Sequence, residues 1–388
     1  MSIASAIQSV IEKPSSEYLL REPIEVGELP TPALVLNLPA FEKNLKKMAE
    51  FAEANGKAIR PHAKTHKCPL VAKKQTAEGA VGVCVAKVSE ALCMALAGIN
   101  SILITSPITT NLKAQVLNHV ASYESEVLIV LDSEMGLSVL KREIDSDRAL
   151  GVVVDVDIEM GRTGTRELET ILRIIEGIES DDRFIFRGVQ HYSGHLMHIA
   201  SYAERREKSL LMWDKVSAML HSLDSRNIDC EIVTGGGTGT YDIDVEVERL
   251  TDLQVGSYVF MDQEYRLIGG QRSEFFEDFD VSLTVACSTI SQPRNGAITV
   301  DGGYKSFASE TVEPVALDIP GSRFKFAGDE HGVLLLQKGE QEVELGTVHQ
   351  FITPHCDPTV NLHDNYWVQR EDGLIHSCWP ITSRGCSW

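Results

Sequence analysis

Between Ile59 and Tyr258 the chain repeats one pattern eight times: a short, β-branched apolar run followed by a helical stretch. The runs lie at Ile59–Ala63, Val81–Val85, Ser101–Thr105, Val127–Leu131, Gly151–Asp157, Phe184–His191, Cys230–Thr234 and Asp252–Val259. Helical candidates between them include Ala86–Gly98, Asn111–Ala121, Glu167–Glu179 and a long stretch from about His198 to Leu223. Apolar runs that alternate with helices read as parallel strands covered by helices. Eight such units in roughly 200 residues predict an α/β chain of TIM-like (β/α)8 barrel type. The competing reading is an open doubly wound sheet. No Gly-x-Gly-x-x-Gly opens a helix after the first strand, which weakens it.

One strand is left over. Thr31–Leu38 (TPALVLNL) precedes the first helix, Ala40–Ala54, and has no place in the barrel. After Glu264 the style changes. Val281–Ser288, Ala297–Val300, Gly332–Leu336, Gln341–Glu344 and Tyr366–Val368 are short strands separated by Gly, Pro and Asp turns. They predict a mostly antiparallel β domain, which the leftover strand could complete. The expected division is an extension at 1–28, a strand at 29–38 that completes the β domain, a barrel at 39–265 and a β domain at 266–388. The extension carries no interpretable signal.

A formal charge of −20 repels nucleic acid and anionic membranes. No apolar run is long enough to span a bilayer, and no secretory signal is visible. The eight cysteines lack a C-x-x-C pair and read as reduced, buried thiols of a cytoplasmic protein. A phosphate-bearing ligand would need local help from backbone amides.

Three segments carry chemistry. Pro61–Lys67 (PHAKTHK) ends the first strand, where barrels place catalytic groups, and so presents Lys64 at the barrel mouth. A lysine in a partly apolar mouth beside Arg60, Lys67 and two histidines is expected to have a lowered pKa, which favours Schiff-base chemistry. Position alone favours a solvated surface lysine. Thr234–Thr240 (TGGGTGT) ends the seventh strand, and Gln254, Gly256, Ser257 and Tyr258 end the eighth. Barrels often bind phosphate on these two loops, whose glycines expose amides. Thr353–Asp364 reads TPHCDPTVNLHD. In an extended segment His355 and Asp357 share a face and Cys356 points away. Nitrogen and carboxylate donors suit a divalent metal with open water positions; a plain turn is the simpler reading. A bulge could instead swing Cys356 inward.

Taken together, TPALVLNL, PHAKTHK, TGGGTGT and PHCDPTVNLHD resemble the D-threonine aldolase and D-serine dehydratase family, of the alanine-racemase-like class of pyridoxal-phosphate enzymes. The resemblance runs from about Glu28 to Gly385. It implies that Lys64 is the Schiff-base lysine. It implies further that Thr238, Gly239, Gly256 and Ser257 hold the cofactor phosphate, and that Arg162, Gln190 and Tyr192 surround its ring. Dehydratases of the family carry His-x-Cys and aldolases His-x-Asp, as here. The implied activity is cleavage of D-β-hydroxy-α-amino acids to glycine and an aldehyde. The metal would be Mn²⁺ first, with Mg²⁺, Co²⁺ or Zn²⁺ as alternatives, and the assembly a homodimer. Rivals are a dehydratase or racemase on the same scaffold, a β-hydroxyaspartate aldolase, and a non-catalytic cofactor carrier. A carrier would be a lone barrel. Val189–His198 (VQHYSGHLMH) supplies candidate bases for the β-hydroxyl proton in His195, His198 and His191. Glu330 and His331, in Asp329–Gly332 (DEHG), either support the metal site or make structural hydrogen bonds. The four tryptophans read as packing groups.

Overall fold

The computed structural model describes residues 3–309, 312–337 and 343–388. Eight parallel strands form one sheet: Ala58–Ile59, Val83–Val85, Ser101–Ile104, Glu126–Leu131, Leu150–Val156, Phe184–His191, Ile232–Gly235 and Asp252–Leu253. The last strand pairs with the first through Asp252↔Ala58 and Leu253↔Ile59. A parallel bridge, His62↔Cys84, joins the first to the second. The sheet therefore closes into a barrel, which removes the open-sheet alternative.

Side-chain parity explains the two layers of packing. Val127, Ile129, Leu131, Val152 and Val154 belong to the core shared with the helices. Their neighbours Leu128, Val130 and Val153 form a separate buried cluster with Cys84, Leu103 and Ile232. Successive strand residues face opposite sides, so the second set fills the barrel interior.

The eight expected strands and the helices between them are present, some with the expected bounds and others shifted or shortened at their ends. The first strand stops at Ile59, although the Arg60 and His62 amides still donate to the Leu253 and Val255 carbonyls at 2.9 and 2.8 Å. The eighth stops at Leu253, and Ser257–Val259 forms a short 3-10 turn. The long helix begins at Tyr202 rather than His198, where the Ser201 hydroxyl accepts from the Glu204 amide at 3.3 Å. His198 is thereby left in the preceding loop. Among the described residues no helix is long and apolar enough to cross a membrane.

A second, ten-stranded sheet is mostly antiparallel. Ala33–Asn37 pairs antiparallel with Leu283–Arg294 and parallel with Asn365–Gln369, so the leftover strand lies inside this sheet. Expected strands recur at Leu283–Arg294, Ala297–Val300, Gly332–Leu335 and Asn365–Gln369. The strand expected at Gln341–Glu344 falls partly outside the described residues, and 343–344 are not strand. Tyr18–Ile24, from the uninterpreted extension, pairs with Ile375–Pro380. Neither strand was expected; nor were Val315–Ala316, Arg323–Phe326 and Val348–Ile352.

Candidate active site

A cavity of about 260 Å³ opens at the C-terminal ends of the barrel strands. Its wall includes His62, Lys64 and Thr65 from the first strand, Arg162 from the fifth loop, and Gln190 and Tyr192 from the sixth strand. Gly237 and Thr238 after the seventh strand, Gln254, Gly256 and Ser257 after the eighth, and Tyr265 also line it. This is the face on which TIM-barrel chemistry occurs.

Lys64 sits in the turn that follows the His62 bridge. Its Nζ donates to Asp357 Oδ2 at 2.6 Å. Burial disfavours its charge, but the Asp357 carboxylate and then Tyr192 outweigh that, so the ammonium is held above the ordinary lysine range. The expectation of a lowered pKa is corrected here: a carboxylate distant in sequence is the amine's direct partner. Asp357 shifts the opposite way. Burial opposes its charge, and Lys64 and His355 overcome it, holding the carboxyl well below the usual range.

His62, two residues before Lys64, is a wall residue to which the sequence reading gave no role. Alternation along the strand end is the signal that could have found it. Burial first, then the Lys64 charge, holds its pKa well below the usual value, so the ring is neutral. The Lys64 amide donates to Nδ1 at 3.3 Å. Nε2 lies 3.1 Å from Thr105 Oγ1, whose hydroxyl is spent on the Val85 carbonyl. The proton therefore belongs on Nε2.

The floor is one polar network. Asp155 accepts from Gln190 Nε2 at 2.9 Å and Thr163 Oγ1 at 2.7 Å. Gln254 Nε2 donates to Gln190 Oε1 at 3.0 Å and Thr234 Oγ1 at 3.0 Å. A fixed carboxylate thus sets the orientation of both amides. Arg162 lies over the Tyr192 ring at 5.1 Å. Among the described residues no carboxylate forms an ion pair with it.

The two glycine loops are clasped together: the Tyr258 amide donates to Thr238 Oγ1 at 3.1 Å. Gly236 takes φ +71°, a left-handed conformation that favours glycine. A Cβ on Gly256 would come within 2.5 Å of Thr65 Oγ1, and one on Gly237 within 2.8 Å of Met197 Sδ. Only glycine lets this backbone lie flush with the wall. Asp244 braces the loop from behind, accepting from Thr240 Oγ1 at 2.5 Å, Ser209 Oγ at 2.7 Å and Trp213 Nε1 at 3.0 Å. Thr238, Gly256 and Ser257 reach the cavity. Gly239 does not line it and gives its carbonyl to Arg205. Nor does Tyr258, whose buried hydroxyl meets Gln75 at 3.3 Å.

The segment after Val348–Ile352 delivers His355 and Asp357 to the rim. His355 is extended, but Cys356–Val360 is a short helix, so the extended reading of this segment is corrected. Pro358 is compatible with a first helical turn, where its missing N–H costs nothing. Asp262 secures the segment, accepting from the Cys356 amide at 2.9 Å and the Tyr265 amide at 2.9 Å. His355 Nδ1 lies 3.4 Å from Glu264. Cys356 is fully buried, and burial pushes its thiol well above the usual range. Its sulfur lies 3.5 Å from Asp357 Oδ1. Among the described residues no three His, Cys, Asp or Glu side chains gather as a metal cluster. Two donors, one nitrogen and one carboxylate, fit a water-completed cation site.

Of the three histidines proposed as bases, the fold brings one to this rim. The His198 ring packs 5.0 Å from Tyr265 and 6.3 Å from His355. His191 is buried between the Val156 carbonyl and Ser193 Oγ, and burial lowers its pKa to about 4. His195 is exposed and does not line the cavity. In the β domain Glu330 pairs with Lys305 at 2.5 Å, and His331 is exposed.

Residues 36–264 match the alanine racemase N-terminal domain family, and residues 282–369 a serine dehydratase domain family. A D-threonine aldolase of Arthrobacter sp. is 35% identical over 363 residues, 93% of this chain and 94% of that one. The chain belongs to the D-threonine aldolase and D-serine dehydratase family. It is an enzyme of the carbon–carbon lyase type, on the alanine-racemase-like fold. A solved D-threonine aldolase of Filomicrobium marinum superposes with a TM-score of 0.90 at 32% identity, covering 96% of this chain and 100% of that one. A 3-hydroxy-D-aspartate aldolase of Paracoccus denitrificans (strain Pd 1222) is 30% identical over 93% of this chain and 94% of its own length.

Proposed function

We propose that this enzyme cleaves D-threonine-like β-hydroxy-α-amino acids to glycine and an aldehyde, with pyridoxal phosphate and a divalent cation. The observation that carries the reading is the 2.6 Å approach of Asp357 to Lys64 at the barrel mouth. An amine and two glycine loops meet on one cavity wall, with the Asp357 carboxylate hydrogen-bonded to that amine, while Cys356 stays buried.

Lys64 would hold the cofactor covalently through Nζ, and the Gly237–Thr238 and Gly256–Ser257 backbones would hold its phosphate. Pyridoxal phosphate supplies a sink for the electron pair left when the Cα–Cβ bond breaks. His355 and Asp357 would hold the cation, which supplies Lewis acidity at the β-hydroxyl. His198, the one histidine of its segment at this rim, takes up the hydroxyl proton. Lys64 returns a proton to Cα as glycine forms. Arg162 neutralises the substrate carboxylate. A Cys→Ala variant of a D-threo-3-hydroxyaspartate dehydratase has been solved in a metal-free form, which supports a metal in this family.

Lys64 and Arg162 are the only cations in the described wall of the cavity. Once Lys64 has bonded the cofactor, one cation remains for the substrate. Arg162 is then the one side-chain cation of that wall for a substrate carboxylate, and a second carboxylate, as in hydroxyaspartate, would fall to the divalent cation. The ten-stranded sheet disfavours a simple carrier. We place the enzyme in the cytoplasm as a homodimer, in keeping with its eight free thiols and the family resemblance.

The test is product identification by mass spectrometry. Purified enzyme with pyridoxal phosphate and Mn²⁺ is given D-threonine, D-serine and the D-3-hydroxyaspartate diastereomers. Acetaldehyde and glycine from D-threonine support the proposal. Glyoxylate and glycine as the main products would move the substrate to hydroxyaspartate, and ammonia with an oxo acid would make the enzyme a dehydratase.

A further inference from the structure

The last residues of the chain hold a second reactive cluster, on the barrel side of the tail and apart from the cavity. Cys386 Sγ lies 3.7 Å from Cys93 Sγ. Lys13 Nζ lies 3.4 Å from the Cys386 sulfur and also donates to the Arg384 carbonyl. Cys93 belongs to the helix Val88–Leu96, which follows the second barrel strand. Cys386 belongs to the tail after the strand Ile375–Pro380, outside any helix or strand. Three remote parts of the sequence thus bring two thiols and one ammonium together.

The tail is also attached to the loop that carries Lys64. The Ser383 amide donates to the Lys67 carbonyl at 2.9 Å. Lys67 has φ +50° and pairs with Glu90 of the helix at 2.7 Å. Ser89 of that helix donates through Oγ to the Trp388 carbonyl at 2.7 Å. Loop, helix and tail form one block at the barrel mouth.

We propose that Cys93 and Cys386 form a peroxide-driven disulfide that locks this tail onto the helix beside the Lys64 loop. Cys386 is the attacking sulfur. The Cys93 thiol hydrogen-bonds to it, and Lys13 adds positive charge; together they outweigh burial and hold Cys386 below the usual thiol range. Cys93 is shifted upward and remains the thiol partner. This is the arrangement of a reactive thiolate with a resolving thiol beside it. Cys386 and Cys93 are buried beneath the exposed Arg384, Gly385 and Ser387, so peroxide reaches them when the tail moves aside.

The reaction balances with hydrogen peroxide as oxidant. The Cys386 thiolate attacks one peroxide oxygen, the O–O bond breaks, and a sulfenic acid and hydroxide form. Cys93 gives its proton to that hydroxide and its sulfur attacks the sulfenic sulfur, expelling the second oxygen as water once protonated. Two thiols and one peroxide yield one disulfide and two waters. The sulfurs must close from 3.7 Å to about 2 Å, a movement that a segment outside any helix or strand can supply.

The experiment treats the intact enzyme with hydrogen peroxide at neutral pH, alkylates remaining thiols and maps peptides by mass spectrometry. The expected product has lost two hydrogens and contains a linked Cys93–Cys386 peptide. Cys93→Ser and Cys386→Ser should each abolish that link. Lys13→Met should slow its formation several-fold, about the change in thiolate fraction expected when a neighbouring ammonium is removed. The wild-type map alone decides the case if a variant fails to fold. Unmodified thiols, a link between other cysteines, or added oxygens at Cys386 without a link would overturn the proposal.

Discussion

Asp244 should make the enzyme lose stability as pH rises through the mildly acidic range, and Asp244→Asn should remove that loss. The carboxyl is fully buried behind the Thr234–Thr240 loop. Burial raises its pKa from 3.8 to about 6, against the opposing hydrogen bonds of Thr240, Ser209 and Trp213. The folded state therefore holds this proton more tightly than the unfolded chain. Below the unfolded pKa both states are protonated and nothing is lost. Between that value and about 6 only the unfolded state ionises freely, so stability falls as pH rises. A shift of roughly two pH units corresponds to about 3 kcal/mol. Asparagine has nearly the same shape and does not titrate. Its oxygen can accept from Ser209 and Trp213, and its amide can donate to Thr240, whose hydroxyl also accepts. The assay is urea unfolding of wild type and variant from about pH 3 to about pH 7. The variant should gain about 3 kcal/mol relative to wild type across that interval. A difference that stays level with pH would refute the reasoning, because it would mean that the buried carboxyl titrates alike in both states.

Two substitutions test the cavity itself. Lys64→Ala should abolish the visible absorbance that pyridoxal phosphate gains on covalent attachment, together with turnover; an unchanged spectrum would remove the lysine from its role. His355→Ala and Asp357→Ala should each keep that absorbance and lose metal-stimulated turnover, and chelation should do the same to wild type. Full wild-type turnover after chelation would exclude the cation.

What the sequence revealed and what it hid divide by the range of the interactions. Strand runs, helical stretches and glycine loops are local signals, so the barrel and the TGGGTGT loop were legible. Strand ends placed Lys64 at the mouth. Its protonation was not legible, because Asp357 lies 293 residues away in sequence. His191, His195 and His198 looked alike in sequence. Only the helix start at Tyr202, capped by Ser201, leaves His198 in a loop beside Tyr265 and His355. Asp244 and Asp262 were missed for the same reason: their roles lie in the donors that tertiary structure brings to them. Tyr18–Ile24 is exposed along much of its length and lacks the apolar alternation that marks a buried strand.

Two sheets make one site through contacts equally remote in sequence. The segment 353–356 comes from the ten-stranded sheet, yet it is bonded to the end of the barrel at every step. The Gln263 amide donates to the Thr353 carbonyl at 3.0 Å and the Glu264 amide to the Pro354 carbonyl at 3.1 Å. The Asp262 carboxylate closes the series on the Cys356 amide. Such buried main-chain bonds are costly to leave unmade, at about 1–3 kcal/mol for each stranded group. They fix where the helix at Cys356 begins, and with it the reach of Asp357 to Lys64. The rim carboxylate is thus positioned by backbone rather than by its own flexible side chain, which is how a site built from two domains keeps its geometry.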